Sequence, residues 1–183
     1  MVPRTAVRAP ARRHARAPPS RVSAAPTIGF MSDADTPLEE IHMRPIGVVA
    51  GGDSDVSRWD WSRVRSELRL LPEHADALLG LDGYTHVIVV GWLDRIPAEL
   101  RARPRAYPAG DERLPLQGAL ALRGGARPNP IAVTVCRLLA IDGAVLRLEG
   151  LDLVDGTPVL DVKPYIAHYD AVTEARIPKW AGG

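Results

Sequence analysis

Two apolar runs, 131–141 and 144–149, are separated only by Asp142-Gly143, and no other stretch limits the folding of this chain so tightly. An Asp-Gly pair between such runs is a strong hairpin signal, because the tight primed turns need positive φ at their central residues. In the second run Leu146 and Leu148 fall on one face and Val145, Arg147 and Glu149 on the other. Polar, proline-stiffened corners flank the hairpin. Before it stands Arg123-Gly124-Gly125-Ala126-Arg127-Pro128-Asn129-Pro130. After it come Asp152-Leu153-Val154-Asp155-Gly156-Thr157-Pro158 and then Asp161-Val162-Lys163-Pro164-Tyr165. Residues 123–165 therefore read as a ligand-holding device that the rest of the chain supports.

The other apolar segments continue the β pattern. Residues 44–50 predict a first strand, ended by Gly51-Gly52-Asp53-Ser54-Asp55. Residues 66–71 alternate weakly and predict a second. Residues 84–92 form a β-branched run whose continuity predicts burial on both faces. Residues 117–122 predict a further short strand. Pro72 in a first turn and Gly80 after the end frame a short helix over 72–79, and 94–101 predicts a helical turn. At least six strands with one or two short helices give a mainly β fold, a small closed or partly open barrel or a sandwich. There is no G-x-G-x-x-G after a strand, no P-loop, no H-E-x-x-H and no G-x-S-x-G, which argues against a Rossmann fold and P-loop chemistry.

Composition divides the chain. Residues 1–30 carry six Arg and no acid, with Pro at 3, 10, 18, 19 and 26; they cannot bury a core. With the acidic linker they make a segment 1–42, before a barrel domain over 43–175 and a tail over 176–183. The segment reads as a transit-like leader, as a phosphate-seeking arm, or as untranslated sequence if synthesis starts at Met31 or Met43. It has no apolar h-region, so the expected location is the cytoplasm. From Met43 onward 17 basic groups stand against 18 acidic ones, so the folded part is no general nucleic-acid binder. Its basic cluster is local: Arg101, Arg103 and Arg105, in a loop that ends at Arg113. No apolar run reaches the ~20 residues of a membrane span. The lone Cys136 lies in an apolar run and reads as a buried thiol.

The corners have a definite chemistry. Each proline fixes its own φ and extends its predecessor, so Arg127 and Asn129 are held with little freedom. Arg123 and Arg127 suit a carboxylate or phosphate, and Asn129 offers both donor and acceptor. Asp155 either caps an Asp-Gly-Thr-Pro turn or, with Asp152, accepts bonds from hydroxyl or ammonium groups. No histidine stands near the two carboxylates, so no metal is expected. A merely structural role for the first corner remains equally open at this point.

Taken in order, Pro45-Ile46-Gly47-Val48, Leu81-Asp82-Gly83-Tyr84-Thr85-His86, Arg127-Pro128-Asn129-Pro130-Ile131 and Asp152 through Asp161-Val162-Lys163-Pro164-Tyr165 resemble the TsaA-like (TrmO) family. The resemblance covers about residues 43–170. It implies a small β-barrel that binds S-adenosyl-L-methionine without a Rossmann fold and works as a homodimer. Family members methylate threonylcarbamoyladenosine beside the tRNA anticodon, by in-line attack of a nitrogen on the sulfonium methyl. Carried over by position, the cofactor site takes in Asp94, Arg95, Arg123, Arg127, Asn129, Val133, Asp152, Leu153, Val154 and Asp155. Arg101, Arg103, Arg105, Lys163 and Tyr165 are the candidate substrate residues.

The chain also departs from the pattern. The family's Pro-Arg-Gln element after the first strand, which contributes to its cofactor site, has no counterpart in residues 50–66, and Asp94-Arg95 stands where the family has His-Gln. Leu122, Gly124-Gly125 and Ala132 replace Thr, Ser-Pro and Gly. The binding corner is thus largely kept, while the surroundings that could receive tRNA are altered. A tRNA methyltransferase, a methyltransferase acting on a small metabolite, and a noncatalytic cofactor-binding module all remain compatible with these residues.

Overall fold

Alternation along six strands decides which side chains meet. The computed structural model describes residues 39–55 and 60–181. The expectations for the leader, and Trp59, lie outside the described residues. The chain divides into two units, Met1–Glu40 and Ile41–Gly183. In the second, strands β1 (Gly47–Ala50), β2 (Arg65–Leu70), β3 (His86–Trp92), β6 (Ile131–Asp142), β7 (Val145–Glu149) and β8 (Pro158–Pro164) close in the order β1-β2-β7-β6-β3-β8. Every pairing is antiparallel. Closure leaves none of these strands with an unpaired edge.

The inward positions fill the barrel. Val49, Leu68, Val87, Val89, Leu146, Leu148 and Val159 are each 1% exposed or less. Burying one such side chain stabilises the fold by about 1.5–3 kcal/mol before conformational entropy is set against it. The Asp142-Gly143 turn joins β6 and β7 as its sequence predicts, with Gly143 at φ 56°. Leu146 and Leu148 point inward and Arg147 outward.

Two expectations need correction. Residues 117–122 do not supply a barrel strand. Only β5 (Gln117–Gly118) pairs, with β4 (Arg105–Ala106) in a separate two-stranded sheet, and Ala119–Ala121 then turns as a 3-10 helix. The sixth barrel strand is instead β8, whose prolines at both ends make it read as a corner. Pro is tolerated there because it occupies the first and last positions of the strand. Second, β3 is fully buried on one face only: Val87, Val89 and Gly91 are inside, while Ile88, Val90 and Trp92 are half-buried outside. His86 shares that outer face and is exposed; its Nδ1 and Thr85 Oγ1 are hydrogen bonded at 2.9 Å. The short helix expected over 72–79 is present as a 3-10 helix, Pro72–Leu78. The two α-helices are single turns, α1 (Ala98–Arg101) and α2 (Ala167–Asp170). Among the described residues no helix is long and apolar enough to cross a membrane.

Candidate functional site

Register places both corners at one end of the barrel. Trp92, the last residue of β3, pairs with Ile131, the first of β6, and Gly91 pairs with Val159 near the start of β8. The segment after β3, the corner before β6 and the corner before β8 therefore converge. Glycine permits the approach. A Cβ on Gly125 would lie 2.9 Å from Leu93 Cδ1 and 3.0 Å from Ile96 Cδ1, so the first corner packs directly on the segment that follows β3.

Two adjoining cavities open where these segments meet. One, about 330 Å³, is lined by Arg123, Arg127, Val133 and Thr134 as well as Leu93, Asp152 and Leu153. The other, about 210 Å³, shares Leu93, Asp152 and Leu153 and adds Trp61, Asp94, Arg95, Ile96, Val154 and Thr157. The shared walls make them one cleft, lined by guanidinium groups, carboxylates and aliphatic side chains.

Hydrogen bonds fix the polar walls. Arg123 Nη2 donates to the Val133 carbonyl at 2.6 Å, which ties the corner to β6. Among the described residues its other donors have no protein acceptor. Arg127 turns inward to its own corner, donating through Nη2 to the carbonyls of Leu122 and Ala119; its Nε is buried without a partner. Thr134, nearly buried, donates from Oγ1 to Asp152 Oδ1 and so orients an otherwise exposed carboxylate. Arg95 Nη2 donates to the Asp155 carbonyl at 2.8 Å. Asp155 Oδ1 accepts from the Gly51 amide at 3.0 Å and fastens the second corner to the end of β1. Gly156 has φ +80°, and a Cβ there would meet Arg95 Nη2 at 2.9 Å.

Of the ten residues carried over as cofactor ligands, Asp94, Arg95, Arg123, Arg127, Val133, Asp152, Leu153 and Val154 line this cleft. Asn129 is exposed beside it, and only its carbonyl is engaged, by the Ile131 amide at 2.7 Å. Asp155 works from behind through Gly51 and Arg95. Leu93, Ile96, Thr134 and Trp61 have no motif to mark them. For Thr134 alternation was a usable signal, since it faces inward between Val133 and Val135, opposite Val89.

The five substrate candidates separate. Arg101 and Arg103 line an apolar cavity of about 690 Å³ with Ala98, Ala119 and Leu120, and the Arg101 Nε is buried without a partner. Arg103 and Arg105 also line a cavity of about 710 Å³, whose wall includes Arg123. Arg113, at the end of that loop, is held by Asp111; their hydrogen bonds lower the Asp111 pKa and raise that of Arg113. Lys163 is paired with Asp161 at 2.5 Å, and the Tyr165 ring meets His86 edge-on at 6.4 Å. That pair sits at the opposite end of β3 from the cleft, roughly 20 Å away at ~3.3 Å per residue.

Cys136 takes no part in this chemistry. It is buried opposite Val87, and burial, with Asp152 adding a smaller effect, raises its pKa from 9.0 to about 12.

Known proteins share both the sequence and this architecture. An S-adenosyl-L-methionine-binding protein of Archaeoglobus fulgidus is 32% identical over 136 residues, which is 72% of this chain and 94% of the relative. A tRNA (adenine(37)-N6)-methyltransferase of Homo sapiens is 35% identical over 111 residues, 60% of this chain but 24% of that protein. A crystal structure of TrmO from Pseudomonas aeruginosa superposes with a TM-score of 0.60 at 30% identity, covering 75% of this chain and 62% of the other. A second Archaeoglobus fulgidus relative, 37% identical over 141 residues, is likewise longer, and the chain spans 37% of its length. The family model described as the tRNA-methyltransferase O N-terminal domain matches residues 59–171. That match takes in more than half of the 183 residues, and the chain belongs to the tRNA-methyltransferase O (TrmO) family through the family's N-terminal domain.

Proposed function

We propose that this chain is an S-adenosyl-L-methionine-dependent methyltransferase acting on tRNA, at the threonylcarbamoyladenosine beside the anticodon. The observation that carries the reading is the meeting of both corners in one cleft, whose lining includes both Arg123 and the Thr134-anchored Asp152. The residues fit the cofactor. The remaining donors of Arg123 suit a carboxylate, while Asp94 and Asp152 suit ammonium or ribose hydroxyls. Leu93, Ile96, Leu153 and Val154 offer an apolar wall for a purine ring. When bound, the cofactor supplies an electrophilic methyl group on a sulfonium.

The protein's own contribution is positioning and a preorganised field. Bonds from Thr134 to Asp152 and from Arg123 to Val133 set those groups before any ligand arrives. Arg101, Arg103 and Arg105 are the local basic surface for the RNA backbone. Lys163 and Tyr165, at the far end of the barrel, would meet only RNA remote from the target base. The names of the Archaeoglobus and human relatives support both the cofactor and the acceptor. We further place the protein in the cytoplasm as a homodimer. Val133 and Val135, 46% and 49% exposed on the outer barrel face, are the apolar surface that supports the dimer. A monomeric mass in solution would remove that part of the proposal.

One observation favours a second reading. The balance of 17 basic against 18 acidic groups from Met43 onward suits a small-molecule acceptor better than RNA. Mass spectrometry of tRNA nucleosides from wild-type and deletion cells separates the two. Loss of one methylated nucleoside is the expected result. Unchanged nucleosides, with S-adenosylhomocysteine still bound by the purified protein, would select the small acceptor. No binding of either form of the cofactor would end both readings.

A further inference from the structure

We infer that the cavity of about 710 Å³ beside the cleft binds a purine nucleotide, stacked on Trp180 and Tyr107, and is the pocket for the methyl acceptor. Its use as an acceptor pocket rests on the proposed methyl transfer; its ligand class does not. Location is the first ground. Arg123 lines both this cavity and the cofactor cleft, so one guanidinium separates the two spaces. Chemistry is the second. Tyr107 is 37% exposed and Trp180 half-buried, an arrangement that leaves ring surface available to a planar base. Aromatic faces of this kind are how proteins hold unstacked bases.

Arg103 and Arg105 put positive charge on the same walls, where a nucleotide carries its phosphate. Glu112 is the one carboxylate lining the cavity and can accept from an exocyclic amino group. The volume falls within the roughly 300–1,000 Å³ of small-molecule pockets. The neighbouring cavity of about 690 Å³ has arginines too, but no aromatic ring lines it, so it offers a base no ring to stack on. Trp180 arrives on a 3-10 turn, Lys179–Ala181, in which the Ala181 amide donates to the Pro178 carbonyl at 2.9 Å. That turn lies outside the 59–171 match, so this wall is not part of the matched family domain.

The test uses the full chain, isotopically labelled, titrated with adenosine 5′-monophosphate while the indole N–H resonance of Trp180 is followed. The resonance is assigned by its loss in Trp180→Phe. It should move saturably, and Tyr107→Ala should weaken the binding about tenfold, with S-adenosylhomocysteine affinity unchanged within about twofold. Trp180→Ala should raise the KM for tRNA by about tenfold, and Trp180→Phe should restore most of it. An indole resonance that millimolar nucleotide leaves in place, or a wild-type KM in Trp180→Ala, overturns the pocket. Wild-type protein that transfers no methyl while the resonance still moves overturns the methyltransferase reading and keeps the purine site. Transfer that persists with an unmoved resonance does the reverse.

Discussion

Replacing Arg123 by Ala separates a ligand-binding guanidinium from one that merely clips a corner in place. Its one bond to the protein is donated to the Val133 carbonyl at 2.6 Å, and the side chain is exposed. Losing a solvent-accessible bond of this kind costs about 1 kcal/mol of stability or less. That corresponds to a fall in Tm of no more than about 4 °C for a domain of this size. A charged hydrogen bond to a bound carboxylate contributes more, about 1.5–3 kcal/mol. Calorimetric titration with S-adenosylhomocysteine should therefore show Kd rising by roughly 10- to 150-fold at nearly unchanged Tm. Arg123→Lys keeps the charge but loses the planar fork that can serve the Val133 carbonyl and a ligand together, so its affinity should fall between the two. An affinity unchanged within twofold in both variants, at unchanged Tm, would take Arg123 out of the site and leave it a structural clip.

Thr134→Val keeps the side-chain shape but removes the donor that holds Asp152; cofactor affinity should drop by about 0.5–1.5 kcal/mol in the same titration, with no loss of barrel stability. Gly156→Ala must adopt φ +80° and crowd Arg95 Nη2 at 2.9 Å; a cost of about 1–3 kcal/mol in chemical denaturation is expected, along with weaker cofactor binding. Cys136, with its pKa raised to about 12, favours the folded state only while it is neutral. Its contribution is complete below the ordinary pKa of 9.0 and fades between pH 9 and 12. Relative to Cys136→Ala, the wild type should lose about 2 kcal/mol between pH 8 and pH 10.5 in urea unfolding, and its thiol should resist alkylation at pH 8 until the protein is unfolded.

Local rules made the hairpin legible and hid the closure. Asp142-Gly143 names its own turn, and period-two alternation assigns Leu146 and Leu148 to the core without any tertiary knowledge. The segment Pro158–Pro164 has no such local signal. Its prolines imitate a loop, and only its pairing with both β1 and β3 makes it a strand. Residues 117–122 fail in the opposite sense: their alternating Ala and Leu imitate a strand, yet the barrel has no open edge to receive them. The polar corners were visible because proline and glycine write their geometry into sequence. The apolar walls of the cleft, Leu93 and Ile96, were not, because an aliphatic side chain reads alike in a core and in a binding site. Arg127 shows the remaining ambiguity. The same guanidinium that suits a ligand also suits two carbonyls of its own corner, and only coordinates reveal how it is used.

The two sides of the proposed site are built by different means, and this bears on the departures from the family pattern at Leu122 and Gly124-Gly125. The donor side is set by barrel register. Shifting β6 by one residue against β3 would send Thr134 outward, away from Asp152, and would cost the core Cys136 as well. Substitution there is coupled to folding. The proposed acceptor side consists of the arginine loop, the Gly124-Gly125 corner and the turn that carries Trp180, none of which the barrel needs in order to close. Those segments can change composition while the core stays intact, and Leu122 and Gly124-Gly125, two of the departures, line this same cavity. A near-neutral folded part is compatible with RNA on this account. The charge that matters is the few arginines these loops hold beside the cleft, and it need not be spread over a barrel surface that the acceptor does not touch.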